Sequence, residues 1–215
     1  MKKILYSVAL AACCMGTMTS CSDFLDASNK SNVTAKQSFA TKEGLNNLVN
    51  DAYQHLQNVY AAPLFTSCFS AGTDMYADAR NKMNEALNTY ETLTPENTDI
   101  KNLYTYLYSG IRAANSVSYY AQTAQVDDKT KSQLIGEARV LAAYEYYLLV
   151  NNFGGVPIMK GFLTTTGTGY PKSSAADVYA YIISELEDVI GKNVLQASTA
   201  TKGGGRISQE TAKAI

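Results

Sequence analysis

The segment G-E-A-R-V-L-A-A-Y-E-Y-Y-L-L-V-N-N-F-G-G-V-P, from Gly136 to Pro157, constrains the fold more than any other part of the chain. Leu134, Ala138, Leu141, Tyr144 and Leu148 recur at three- and four-residue spacing, so the segment is predicted to be a long amphipathic helix with one apolar stripe. Asp127 or Asp128 can cap its start, because a carboxylate accepts the free N–H groups of a first helical turn. Gly154 or Gly155 can take the left-handed conformation that closes a helix, and Pro157 prevents it from resuming. Every one of these features serves packing, and none requires catalysis.

The rest of the chain reads as helices joined by loops. Leu45, Leu48, Val49, Ala52, Leu56 and Val59 trace the apolar face of a helix over 41–60, which Pro63 terminates. Residues 61–95 hold no sustained stripe beyond a short possible helix over 77–87. A third helix is predicted over 95–123, with Tyr104, Leu107, Tyr108, Ile111, Ala114 and Asn115 on one face. Asn115 there needs a hydrogen-bond partner, since an unpaired buried amide costs about 1–3 kcal/mol. The few residues before the Gly136 helix imply an antiparallel pair. After a Gly/Thr/Pro loop over 156–172, a helix runs over 174–190. Ser174 and Asp177 form its capping box, Val178, Ile182, Leu186 and Val189 its stripe, and Gly191 its stop. A last helix begins near Ser208 and breaks off at Ile215, which reads as a truncated product of a longer chain. The fold class is all-α, successive helix pairs joined by long irregular loops; their apolar faces resemble tetratricopeptide-type stacking, and the strict repeat consensus is absent.

The first residues are a leader. Lys2 and Lys3 precede an apolar run from Ile4 to about Met15, then small polar residues and Cys21. The run is about 12 residues, short of the about 20 that span a bilayer. Met18-Thr19-Ser20-Cys21 is a loose lipobox, with Met18 where Leu is commoner, so residues 1–20 are read as a lipoprotein signal peptide and Cys21 as the lipidated N-terminus. Two or more acyl chains anchor stably, at about 0.8 kcal/mol per buried methylene. Residues 21–37 then form a tether and residues 38–215 the helical domain.

Several chemistries have no footing. With Cys21 lipidated, Cys68 is the one cysteine of the mature chain, which excludes a disulfide framework and a thiolate zinc site. Cys68 lies among Phe65, Phe69 and small residues and reads as an inert, buried thiol. The single histidine, His55, sits at the rim of its helix face, so neither metal nor cofactor is expected. A net charge of −1 without a basic run leaves no footprint for nucleic acid. Gly203 to Gly205 lacks the phosphate-loop spacing. Glycosidases need two carboxyls on opposite sides of one sugar bond, whereas Asp127, Asp128, Glu185 and Glu187 read as cap or solvated helix-face residues.

The Gly136–Pro157 wording resembles the signature helix of the SusD/RagB family of Bacteroidetes surface lipoproteins, close to G-E-A-R-F-L-R-A-Y-Y-Y-F-x-L-V-x-x-F-G-G-V-P. Ala142 stands where that pattern has Arg. Cys21-Ser22-Asp23-Phe24-Leu25-Asp26 resembles the family's C-x-D-F-L-D opening. The Tyr104–Asn115 segment is similar to its aromatic-x-x-L-Y-x-x-I-x-x-A-N run, and Gly205-Arg206-Ile207-Ser208 to its G-R-x-S approach to the next helix.

The resemblance implies a SusD-like scaffold in a protein longer than this chain. It implies a non-catalytic glycan-binding lipoprotein at the outer membrane, facing the exterior. Its partners would be a glycan and a TonB-dependent transporter of the SusC type, with the membrane engaged through the lipid anchor. Family ligand contacts come partly from an N-terminal loop and largely from regions beyond this chain. Sugar recognition needs aromatic faces and hydrogen-bonding groups, which points to Tyr76, Arg80, Asn81 and Tyr90 in the irregular segment. The competing reading is a helical-repeat adaptor of the cell envelope with no sugar ligand.

Overall fold

The predicted apolar faces become the buried sides of helices in the computed structural model, except that Tyr104 is exposed; the structure describes residues 34–61, 63–76, 85–165, 167–198 and 205–215. Residues 1–33, including the leader and Cys21, lie outside the described residues, as do Arg80 and Asn81. The chain divides into Met1–Thr34 and Ala35–Ile215, and all the elements named below belong to the second unit. These are α1 (Ala35–Ser38), α2 (Lys42–Tyr60), a π-helical turn (Thr66–Ser70), α3 (Glu85–Thr89), α4 (Thr98–Ala121), α5 (Asp128–Phe153), α6 (Ala175–Lys192) and α7 (Gln209–Ala214). Among the described residues there is no strand, and no helix is long and apolar enough to cross a membrane.

Local chemistry sets the helix ends. Thr41 Oγ1 accepts from Gly44 N–H, Asp127 Oδ1 from Thr130 N–H, and Ser174 Oγ from Asp177 N–H, at 3.1, 2.9 and 3.1 Å. Asn97 Oδ1 accepts from both Asp99 and Ile100 N–H, at 3.0 and 3.2 Å. Replacing Asn97 with Ala therefore strands two donors at once and is expected to destabilise the chain by about 1–2 kcal/mol, read from the shift of the urea midpoint. Gly154 closes α5 at φ 70°, a conformation that favours glycine. The stop expected at Gly191 falls two residues later. α6 continues through Lys192, and Asn193 takes the left-handed cap at φ 49°, ψ 43°. Asn tolerates that region, so the turn did not need the glycine.

Cross-helix pairs give the topology. Tyr104 near the start of α4 meets Phe153 at the end of α5, and Tyr108 meets Tyr146, so these helices are antiparallel. Arg139 reaches Glu185 and Asp188, while Tyr179 Oη donates to Asn151 farther along, so α5 and α6 are antiparallel as well. Tyr53 meets Glu137 and Tyr60 meets Tyr144, a constant offset that makes α2 and α5 parallel. Two antiparallel pairs stacked with their first helices parallel is the tetratricopeptide-like arrangement.

α5 is not amphipathic as expected. Gly136, Glu137, Val140, Ala142, Ala143, Glu145, Tyr146, Leu149 and Val150 are buried in addition to much of the expected stripe. The helix contacts α2, α4 and α6, so it is covered on several sides and keeps no broad polar face. Tyr144, placed in the stripe, lies at its partly exposed border and shares a hydroxyl hydrogen bond with Tyr60. Ala142 is buried by packing alone. Glu185, expected as a solvated acid, instead accepts from Arg139 Nε at 2.6 Å.

A polar latch joins the segment before α7 to α2 and α5. Glu137 is 1% exposed. Its carboxylate takes Arg206 Nε at 2.7 Å and Nη2 at 2.9 Å, a bidentate pair. Tyr53 Oη donates to Glu137 at 2.5 Å and accepts the Ile207 N–H at 2.8 Å. Burial first, and then the Glu137 charge, push the Tyr53 phenol well above its ordinary range. Arg206 also donates to Asn46 and Asn50 and lies over the Tyr53 ring. The Glu of G-E-A-R and the Arg of the G-R-x-S segment are thus partners in one site.

Candidate functional site

The sequence placed sugar contacts in the irregular loop. Two of those four residues are described. Tyr76 is half-buried, its N–H donating to Thr73 O at 3.3 Å. Tyr90 is exposed and holds φ 63°, a region that bulky residues seldom occupy. Its phenol lies so close to Gly72 that a β-carbon there would overlap it. Tyr90 therefore closes the turn around Gly72, whose N–H donates to Asn88 Oδ1. Neither tyrosine lines the grooves described next.

One concavity lies between α4 and the loop that follows α5. Three residues from the helices pin the start of that loop. Tyr108 Oη donates to Pro157 O at 2.7 Å, Asn115 Nδ2 donates to Met159 O at 2.9 Å, and Tyr146 Oη accepts Met159 N–H at 2.7 Å. Asn115 thus has the structural bond expected of it. The pinned segment then turns outward and leaves a groove of about 440 Å³ against α4, within the about 300–1,000 Å³ typical of small-molecule sites. Ile111, Met159 and Leu163 give it an apolar base, while Arg112, Asn115, Thr164, Thr165 and Tyr170 supply polar groups. Tyr170 folds back onto Gly167, which leaves no room for a β-carbon there.

Arg112 also borders a second groove, of about 430 Å³, lined by Asp51, His55, Ser109 and Phe162 among others. The Arg112 guanidinium lies 5.9 Å from the centre of the Phe162 ring. Phe162 packs in turn on Tyr119 and Tyr120, and Tyr120 on Phe39. His55 Nε2 stands 3.8 Å from Asp51, and its buried Nδ1 has no partner. His55 is a rim residue, as expected. Farther away, Tyr60, Phe65 and Phe69 stack as a ledge, with Tyr144 and Tyr147 paired nearby. Cys68 is half-buried, and burial followed by the charge of Asp99 pushes its thiol up to about 11. That makes it a poor nucleophile.

Arg112, Thr164, Thr165 and Tyr170 were not singled out in the sequence. Arg112 sits between Ile111 and Ala113 in a packing helix, and the others lie in a loop with no motif. The usable signal was composition, since the loop over 156–172 is rich in Gly, Thr and Lys and has no acid.

Stacked helix pairs with a polar groove at their side define a tetratricopeptide-like helical scaffold. The chain belongs to the SusD-like family described as starch-binding and associating with the outer membrane, whose profile matches residues 23–214. It is 27% identical over 179 residues to SusD-like protein P38 of Formosa agariphila, covering 81% of this chain and 34% of that protein. Among solved structures it is similar to surface glycan-binding protein A from Bacteroides uniformis, at TM-score 0.67 and 27% identity over 79% of this chain and 39% of that one. A laminarin-binding SusD-like protein shares the fold at TM-score 0.68 and 22% identity, over 79% of this chain and 38% of that one. The chain spans 34–39% of the length of these relatives.

Proposed function

We infer that this chain is scaffold and part of the binding surface of a non-catalytic surface glycan-binding lipoprotein. It captures oligosaccharides or polysaccharides and passes them to a TonB-dependent transporter of the SusC type. A lipid on Cys21 holds it at the outer membrane, facing outward.

The groove beside α4 carries the reading. Its lining combines an apolar base, an aromatic ring, hydroxyls, an amide and a guanidinium, the mixture that suits a sugar's C–H face and hydroxyl edge. It holds no carboxylate, whereas glycoside hydrolysis uses a pair set about 5–10 Å apart across the scissile bond. Family membership and the likeness to a surface glycan-binding protein support the same function.

Affinity electrophoresis of the full chain through gels containing starch, laminarin or acidic polysaccharides tests it. Retardation by at least one polymer is the expected outcome, together with co-purification of a transporter from cell envelopes. A chain retarded by none of them, with no transporter attached, would be an adaptor rather than a glycan receptor.

A further inference from the structure

We propose that the groove beside α4 takes an anionic sugar, with Arg112 as the group that binds its carboxylate or sulfate. The inference rests on the glycan-binding reading above and narrows it to a class of ligand.

Charge placement is the first support. The groove has one charged lining residue, Arg112. The two segments that line it, residues 108–115 and 159–170, carry Arg112 and Lys160 and not one Asp or Glu. The chain as a whole has 19 acids against 18 lysines and arginines, so this acid-free stretch is a local feature. Among the described residues no carboxylate comes within ion-pair distance of Arg112. Asp51 borders the second groove only, and it faces His55. The other two arginines among the described residues are neutralised: Arg139 by Glu185 and Asp188, Arg206 by Glu137.

Geometry is the second support. The guanidinium lies against the Phe162 ring. A ring at that distance favours the cation without occupying its N–H groups, which stay able to take a bidentate acceptor. Asn115 spends its amide donor on Met159 and keeps a carbonyl for a sugar hydroxyl. Thr164, Thr165 and Tyr170 place hydroxyls on the same groove. A neutral sugar would use these hydroxyls and leave the cation without a counter-charge. A uronate or a sulfate ester would use both.

The test is affinity electrophoresis of the full chain, at near-physiological ionic strength so that diffuse attraction is screened. The gels contain polygalacturonate, its fully methyl-esterified form, carrageenan or laminarin. Polygalacturonate, carrageenan or both should retard the chain; which of them does so distinguishes carboxylate from sulfate. Methyl esterification should abolish any retardation by polygalacturonate. Arg112→Gln should weaken the interaction about ten-fold, and Arg112→Lys less, because it keeps the charge and loses the fork. An unchanged thermal midpoint shows that both variants fold. Equal retardation of Arg112→Gln and the parent chain overturns the proposal. Retardation by laminarin or the methyl ester alone also overturns it and leaves the glycan-binding reading standing. No retardation by any of these polymers overturns the proposal, and if starch also fails and no transporter co-purifies the glycan-binding reading falls with it.

Discussion

Replacing Glu137 with Ala lowers the unfolding free energy of the chain by about 3–5 kcal/mol, the effect of breaking a buried ion pair from one side. The carboxylate serves three donors from two other parts of the chain: two from Arg206 and one from Tyr53. Without it the Arg206 guanidinium keeps only Asn46 and Asn50, and the Tyr53 hydroxyl loses its acceptor in a half-buried position. The segment leading to α7 is then held chiefly by the Ile207 N–H on Tyr53 and by Gln209, whose amide donates to Ile190 O. Urea denaturation followed by circular dichroism measures the loss. Hydrogen exchange should localise it to residues 205–214. A loss below about 1 kcal/mol, the range of exposed pairs, would show that the latch contributes little.

Replacing Glu145 with Met stabilises the chain, and the gain grows with pH. Glu145 is fully buried, and neither carboxyl oxygen has a hydrogen-bond partner. It packs against Gly110 of α4, where a β-carbon would overlap the carboxyl group. Burial raises its pKa well above the ordinary carboxylate range. The folded chain therefore holds a proton that the unfolded chain releases above about pH 4.3. The favourable contribution of the neutral form is complete below that pH. It declines by about 1.4 kcal/mol per pH unit until the folded carboxyl itself ionises. Met fills a similar volume and removes an unpaired polar group whose burial costs about 1–3 kcal/mol. Denaturation curves at pH 4, 6 and 8 should show the gap between variant and parent widening at each step. A gap that stays constant with pH would mean that Glu145 is charged in the fold or has a partner.

Fold and family were legible because their determinants are local. The stripes of α2, α4 and α6 repeat at helical spacing, and the caps at Asp127 and Ser174 need only neighbouring N–H groups. Where a local signal was redundant, the reading slipped. Gly191 looked like a stop, but Asn193 could take the left-handed turn, so the helix ran on. α5 misled for a different reason. Its stripe was real, but a helix covered by α2, α4 and α6 buries other sides too, and neighbours are not written in one segment's period.

The groove was less legible. Asn115 was expected to need a partner and Tyr108 to pack, but that these two and Tyr146 bond to residues 157–159 and so shape the ligand-sized space was not visible in the sequence. Arg112 looked like any exposed arginine. Its significance depends on what lies opposite, and that comes from a loop some fifty residues later in the chain.

The sequence by itself determined the helical class, the starts of α2, α5, α6 and α7 and the family, because periodicity, capping and motif wording are properties of short segments; α4, expected from residue 95, begins at Thr98. Only the tertiary structure decided that Glu137 neutralises Arg206, that Glu145 is buried without a partner, and that Arg112 faces an acid-free groove. Each of these is a statement about charge and solvent, and a charge is neutralised or left unpaired only by groups that folding brings to within a few ångströms of it.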